Sequence, residues 1–360
     1  MAYNWQLGDW PNFTFQDIFE AQNKDFAHKA EELLKLIKTG NNEPGSDLTV
    51  NFLVDEIIAS SRIEGENYKK SDILNAYHNQ TSKGEKKQVR FKSSMELVKL
   101  IPMQLAGFGT HLSEELLFAV QVCFLSDRNP EIIGRWRSGN DEMHIVSGSA
   151  HNEKIHFTAP PPSIVKQEMH KFFHWYNETS NMGAIEKAAI AHLYFETIHP
   201  LVDGNGRVGR HIALSCLFAS LGFPVPLYLS EIILNEVNRY YKALNQAQNS
   251  NELTQWICYF AEVIAKAQDY ALMSIGPTFR HNQLLDEHSS KLNARQHKAL
   301  EKMFAAGPTG FKGGMSAQKY ISINKVSKAT ATRDLKHLFD LGILKVELAG
   351  RSTRYNLDLW

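Results

Sequence analysis

Cysteine is scarce here: Cys123, Cys216 and Cys258 are the only three in 360 residues, and they stand far apart. That spacing excludes a disulfide framework and a CxxC metal pair, and it predicts a reducing, cytoplasmic setting. No apolar run approaches the roughly 18 residues of a membrane helix, so no membrane partner is expected. The opening stretch, MAYNWQLGDWPNF, has neither the basic nor the apolar region of a secretory leader. The GxxxxGK[ST] phosphate loop and the HExxH zinc motif are both missing, as are internal repeats and low-complexity tracts. Net charge is absent too, with 39 Lys and Arg against 39 Asp and Glu. The balance hides an asymmetry. From Ser290 onward there are 13 Lys and Arg against 5 Asp and Glu, a net of +8, so the remainder carries −8. A basic module follows an acidic body, and the two are expected to meet different partners.

What is present reads mainly as helix. FAHKAEELLKLIKTG and DLTVNFLVDEIIASSRIEG each carry an apolar stripe at helical spacing and stop at a glycine. NYKKSDILNAYHNQTSKGEKKQV is a polar helix with a charged turn, and SEELLFAVQVCFL an apolar one. EMHIVSG and EKIHFTA, separated by SAHN, read as a small β-hairpin, and APPPS as a proline-led helix start. GAIEKAAIAHLYFETI, RVGRHIALSCLFASLG, YLSEIILNEVNRYYKALNQA and ELTQWICYFAEVIAKAQDYALMS are further helices. The basic end reads as three helices and then two strands about a GRST turn.

Between two of those helices lies HPLVDGNGRVGR, residues 199–210. Gly204, Asn205 and Gly206 place bare backbone N–H groups at the start of a helix, where unpaired donors and the helix dipole favour an anion. Arg207 and Arg210 lie three apart on that helix, and two guanidiniums suit a polyphosphate better than a single carboxylate. Asp203 is a hard oxygen ligand of the kind that holds phosphate-bound Mg²⁺. His199, with an ordinary pKa of about 6.5, can act as an unprotonated base. Each element alone is usually a turn, a cap or a solvated face. Together they ask for a phosphate.

The stretch resembles the Fic motif H-P-F-x-D-G-N-G-R-x-x-R, matched at His199, Pro200, Asp203, Gly204, Asn205, Gly206, Arg207 and Arg210. Leu201 replaces the usual Phe, apolar for apolar. The resemblance extends from about residue 45 to the end. It implies a mainly α fold: a Fic helical core with a β-hairpin flap, plus a C-terminal winged helix-turn-helix domain. The implied divisions are 1–108, an N-terminal helical region with an inhibitory helix at about 50–65; 109–275, the Fic core; and 285–360, the winged helix. The implied activity is transfer of AMP from ATP, with Mg²⁺, to a Ser, Thr or Tyr hydroxyl of a target protein. His199 would take the hydroxyl proton and Asp203 would hold Mg²⁺. Gly204, Asn205, Gly206, Arg207, Val208, Gly209 and Arg210 would contact the nucleotide, with Arg207 on the β-phosphate and Arg210 on the γ-phosphate. Kinase-like relatives have Lys at the position of Asn205, which argues for nucleotidyl transfer. The hairpin Met143–Phe157 would be the flap that pairs with the target's backbone. NRYYKALNQA resembles the stretch that closes over adenine, with Tyr240 and Tyr241 as candidates and Tyr241 the one expected to contact the nucleotide. Self-modification and a homodimer are both open.

SSRIEGE places Ser60 and Glu64 four apart on one helical face, matching the inhibitory pattern [ST]-x-x-x-E-[GN] of many Fic proteins. By that resemblance Glu64 would pair with Arg210 and fill the space of the γ-phosphate. Some relatives use the same Glu to remove AMP, so a de-AMPylating Fic enzyme, or one that transfers another phosphate-bearing group, is one alternative. Another is a DNA-binding regulator whose Fic core only senses nucleotide. In that reading SKATATRDLKHLFDLGIL would be a recognition helix starting near Ser327 or Lys328. Thr330, Thr332, Arg333 and Lys336 would face DNA, with Arg351 and Arg354 on the wing.

Overall fold

The computed structural model of the chain describes residues 2–39, 47–81, 87–89, 92–106, 111–147, 154–288, 291–304, 311–348 and 353–358. Two compact units emerge: Met1–Glu31 with Pro44–Gln268, and Glu32–Glu43 with Asp269–Trp360. In chain order the elements begin with α1 (Glu20–Thr39), α2 (Asp47–Ile63), α3 (Lys70–Thr81), α4 (Lys92–Leu97), α5 (Leu100–Ala106) and α6 (Glu114–Leu125). The hairpin β1 (His144–Ser147) and β2 (Lys154–Thr158) follows. Then come α7 (Pro162–Glu178), α8 (Ala184–Ile198), α9 (Asn205–Leu221), α10 (Leu229–Asn235), α11 (Val237–Ala247) and α12 (Thr254–His288).

Local chemistry sets these boundaries. The Ser113 side chain accepts from Leu116 N at 3.3 Å, and Glu114 and Glu115 complement the dipole of α6. Pro162 stands in the first turn of α7, where its missing N–H removes no ladder bond. Gly222, at φ +73, caps α9. α8 is buried around nearly its whole circumference, its polar His192, Glu196 and Thr197 included. It is buried at Ile185 and Glu186 and then without interruption from Ala188 through Ile198, the pattern of a central helix.

Three boundaries differ from the sequence reading. The helix expected over YLSEIILNEVNRYYKALNQA breaks at Glu236, whose φ of −124° and ψ of +35° leave the helical region and divide α10 from α11. α12 continues past Ser274 to His288. α4 and α5 occupy a stretch with no helix signal of its own in the sequence, and their buried residues Leu97, Leu100 and Ile101 belong to the core.

Two packings position the candidate site. α8 runs along α9, and Gly209 lets them approach: a Cβ there would meet Glu196 Oε1 at 2.6 Å and His192 Nδ1 at 3.0 Å. α2 packs on α10 and α9, with Phe52 edge-on to Tyr228 (5.5 Å) and Phe218 (6.4 Å). That contact carries the end of α2, Ser60–Ile63, to the start of α9. The N-terminal residues add a strap: Asn4 N donates to Gln248 O (2.8 Å), Trp5 Nε1 to Thr158 O (2.8 Å) and Trp10 Nε1 to Glu168 Oε2 (2.8 Å).

In the second unit α13 (Ala294–Phe304), α14 (Ala317–Asn324) and α15 (Lys328–Asp340) precede β3 (Leu344–Leu348) and β4 (Arg354–Leu357), which pair antiparallel. Leu300, Met303, Met315, Tyr320, Leu335, Leu338 and Ile343 form its core. Buried Asp334 ties the helices together, accepting from Arg295 Nε (2.9 Å) and Tyr320 Oη (3.0 Å). Lys328, Thr332, Arg333 and Lys336 are exposed on α15, while Ser327 caps it by accepting from Thr330 N (3.2 Å). Thr330 and Arg354 are partly buried. Arg351, expected on the wing, lies outside the described residues.

Candidate active site

The loop between α8 and α9 is held in an uncommon backbone conformation. His199 is left-handed, at φ +49 and ψ +56, which costs a non-glycine residue on the order of 1 kcal/mol. Arg137 offsets this with its buried guanidinium. Its Nε donates to His199 O (2.7 Å), and its NH2 to both Ile198 O (3.2 Å) and Pro160 O. Its backbone N–H donates to Pro200 O at 2.9 Å. Burial lowers the Arg137 pKa to about 10, so the cation persists at neutral pH.

Leu201 packs fully buried under the loop. The Asn205 side chain closes the turn, accepting from Leu201 N (3.0 Å) and donating to Leu201 O (2.9 Å). Gly204, at φ +90, presses on Leu125, whose Cδ1 would lie 2.9 Å from a Cβ. A Cβ at Gly206 would lie 2.3 Å from Glu64 Oε1. The Glu64 carboxylate therefore rests on the bare first turn of α9, in the seat that the glycines offer an anion.

Both motif arginines are buried, and each meets an acid. Arg210 Nε donates to Ser60 Oγ (3.0 Å), and its NH2 to Ser60 O (2.9 Å) and Glu64 Oε1 (2.8 Å). Arg207 NH1 donates to Glu66 Oε2 (2.7 Å), and NH2 to Asp203 Oδ1 (3.3 Å). Arg128 closes the circuit, with NH2 donating to Glu66 Oε1 (2.9 Å) and Nε standing 3.5 Å from Asp203 Oδ2.

His199 Nδ1 faces the Glu196 carbonyl at 3.4 Å. A carbonyl only accepts, so this contact places the proton on Nδ1 and leaves the Nε2 lone pair as the base. Burial first, and then the charge of Arg137, lower the His199 pKa to about 4. The buried Glu196 carboxyl stands 3.8 Å from Nδ1, and burial raises its pKa to about 8, so it is mostly neutral at pH 7 and does not draw a proton onto the ring. Replacing Arg137 by Met removes one of the two causes. The His199 pKa is expected to rise toward 6.5 in an NMR titration, and the acid limb of any activity that uses this base should move up with it. An unshifted titration would mean that Arg137 does not tune the base.

The expected nucleotide contacts fall into two groups. Gly204, Gly206, Arg207, Arg210 and the backbone of Asn205 gather at the start of α9. Val208 is buried, and its N–H already donates to Gly204 O (3.0 Å); Gly209 faces Glu196 and His192. Tyr240 is a core residue whose phenol meets His192 Nε2 at 2.9 Å. Tyr241 is 46% exposed, and burial of its phenol followed by the Glu64 charge raises its pKa to about 12. Among the described residues no group of three His, Cys, Asp or Glu could hold a metal. One carboxylate, Asp203, 38% exposed, is nonetheless a donor set that fits Mg²⁺ arriving with a phosphate chain. The flap is anchored where Asn245 Nδ2 donates to His156 O (2.7 Å), and it exposes Val146 and Ile155. Its tip, residues 148–153, lies outside the described residues.

Glu66, Arg128, Arg137 and Glu196 join the site without being marked by the sequence pattern. Glu66 stands two residues beyond Glu64 and is legible as a second acid. The other three carry no local signal.

Residues 111–217 match the Fic/DOC family, and residues 3–80 match a domain of unknown function, DUF4172. The Fic/DOC match contains HPLVDGNGRVGR. A probable protein adenylyltransferase of Aquifex aeolicus is 33% identical over 92 residues, 26% of this chain and 27% of that protein. Protein adenylyltransferase fic-1 of Caenorhabditis elegans is 31% identical over 151 residues, 41% of this chain and 28% of the relative. The chain spans less than a third of the length of these relatives. A Fic family protein from Desulfovibrio desulfuricans G20 shares the fold over 96% of this chain and 98% of its own, with a TM-score of 0.55 and 18% identity. A Fic-domain signaling protein from Bacteroides thetaiotaomicron covers 71% of this chain and 96% of its own, with a TM-score of 0.52 and 16% identity.

Proposed function

We propose that this chain transfers AMP from MgATP to a Ser, Thr or Tyr hydroxyl of a protein, and that Glu64 holds it in a self-inhibited state. The observation that carries the reading is a neutral histidine base beside a glycine-lined helix start with two buried arginines. His199 Nε2 takes the hydroxyl proton as the oxygen attacks the α-phosphorus. The bond from the α-phosphorus to the bridging oxygen breaks, and pyrophosphate leaves with its electron pair. Backbone N–H groups at Gly204–Arg207 and the guanidiniums of Arg207 and Arg210 hold the phosphates, and Asp203 holds the Mg²⁺ that accompanies them. The metal neutralises phosphate charge. The flap presents the target by strand addition.

ATP labelled at the α- or at the γ-phosphate separates this from kinase chemistry. The expected result is label transfer from the α-labelled nucleotide alone. Transfer from γ-labelled ATP alone would replace AMP transfer by phosphorylation.

A second role, DNA binding by a winged helix at the C-terminus, is supported by the +8 charge after Ser290 and by exposed Lys328, Arg333 and Lys336 on one helix. About four phosphate contacts should give a log–log salt slope near −3.6 for the full chain on duplex DNA. No binding at low salt would make this unit a protein-contact module.

A further inference from the structure

The short segment after α2 holds both motif arginines, not one. Glu64 takes Arg210, while Glu66 takes Arg207 at 2.7 Å and Arg128 at 2.9 Å. Gly65 between them is at φ +82, a conformation that favours glycine. Three backbone bonds fix the turn: Glu64 N and Glu66 N to Ser61 O (3.1 and 3.0 Å), and Gly65 N to Arg62 O (3.0 Å). The Tyr68 phenol donates to Glu66 Oε2 at 2.9 Å and orients that carboxylate. The two acids are therefore presented as one rigid pair.

The charges agree with the geometry. Arg128, Arg207 and Arg210 face Glu64, Glu66 and Asp203, three cations against three anions. Without the two glutamates the cluster would carry a net +2, which complements the roughly two negative charges of MgATP. Arg207 is the more deeply held of Glu66's two partners, its side chain 2% exposed against 50% for Arg128. A carboxylate bonded to so desolvated a guanidinium is a strong competitor for a phosphate oxygen at the same nitrogen.

We propose that Glu66 is a second inhibitory carboxylate, occupying the phosphate seat at Arg207 while Glu64 occupies the one at Arg210. The Glu64-Gly65-Glu66 turn is then a two-carboxylate mimic of the nucleotide's polyphosphate. Both seats open when the turn leaves, so nucleotide binding must displace both acids together. This rests on the reading of the site as a MgATP site.

The test is calorimetric MgATP binding to the full chain, with His199→Ala as background to prevent turnover. Glu64→Gln, Glu66→Gln and the double variant are compared with that parent. Both single variants should bind more tightly, Glu66→Gln by about tenfold, and the double variant should gain more than the product of the singles because one remaining acid still holds the turn. Tighter binding by Glu64→Gln with unchanged or weaker binding by Glu66→Gln overturns the proposal and leaves the nucleotide site standing. If none of the four proteins binds MgATP, the nucleotide reading fails and the proposal falls with it. Should Glu66→Gln lose its cooperative melt, Glu66→Asp, too short to reach Arg207, reads the same quantity.

Discussion

His199→Ala is expected to lower AMP transfer by about a hundredfold or more while leaving the dissociation constant of MgATP within about threefold. The separation follows from the structure. The phosphate donors belong to α9, whereas His199 ends α8 and contacts neither motif arginine. Its ring is anchored at Nδ1 by the Glu196 carbonyl, which leaves Nε2 to receive a proton. The wild-type pH profile adds a signed expectation. With the His199 pKa lowered to about 4, the base is unprotonated from roughly pH 5 upward, so its acid limb should fall near pH 4. Loss of MgATP binding in His199→Ala, with transfer falling only in proportion, would assign the residue to substrate binding.

Glu64→Gly should raise transfer to the protein itself or to a target by about tenfold or more, the effect of a pair worth roughly 1.4 kcal/mol. The variant empties the backbone seat at Gly206 and frees Arg210 NH2 from its carboxylate. A second signature distinguishes release of a brake from loosening of a fold. Arg210 is buried, and removing its acid leaves a charge with less compensation, so the melting temperature should fall. MgATP brings phosphate back to the same guanidinium, so the variant should regain more melting temperature on nucleotide addition than the wild type does. Unchanged activity would make Glu64 the end of a helix and nothing more. Loss of AMP removal in the same variant would favour the de-AMPylating alternative.

Much of this arrangement is legible in the sequence because it is written locally. HPLVDGNGRVGR carries its own helix end, left-handed glycine, anion seat and paired cations within twelve positions. Ser60 and Glu64 are legible as one helical face, and the structure brings that face to Arg210 across about 150 residues. The helix starts at Ser113 and Pro162 and the stop at Gly222 follow from capping chemistry alone. What the sequence hides are contacts between distant residues with no period to betray them. Arg137 looks like any charge after a tryptophan until its guanidinium meets three carbonyl groups of two other segments. Asn205 stands out for its backbone, and its amide proves to be the clasp of the loop. Tyr240 and Tyr241 are adjacent aromatics on one helix, of which Tyr241 is the expected nucleotide contact; burial sets them apart, Tyr240 bonded to His192 in the core and Tyr241 half-exposed. The N-terminal strap of Asn4, Trp5 and Trp10 has no signal, because each of its bonds ends on a residue more than 150 positions away.

The most direct test of AMP transfer under self-inhibition is intact-mass spectrometry of the wild-type and Glu64→Gly proteins after incubation with MgATP. The account predicts a gain of one or more AMP groups, small in the wild type and large in Glu64→Gly, and absent when His199→Ala is added. A gain of phosphate, or no mass change in any of the proteins with a reactive hydroxyl target present, would contradict it.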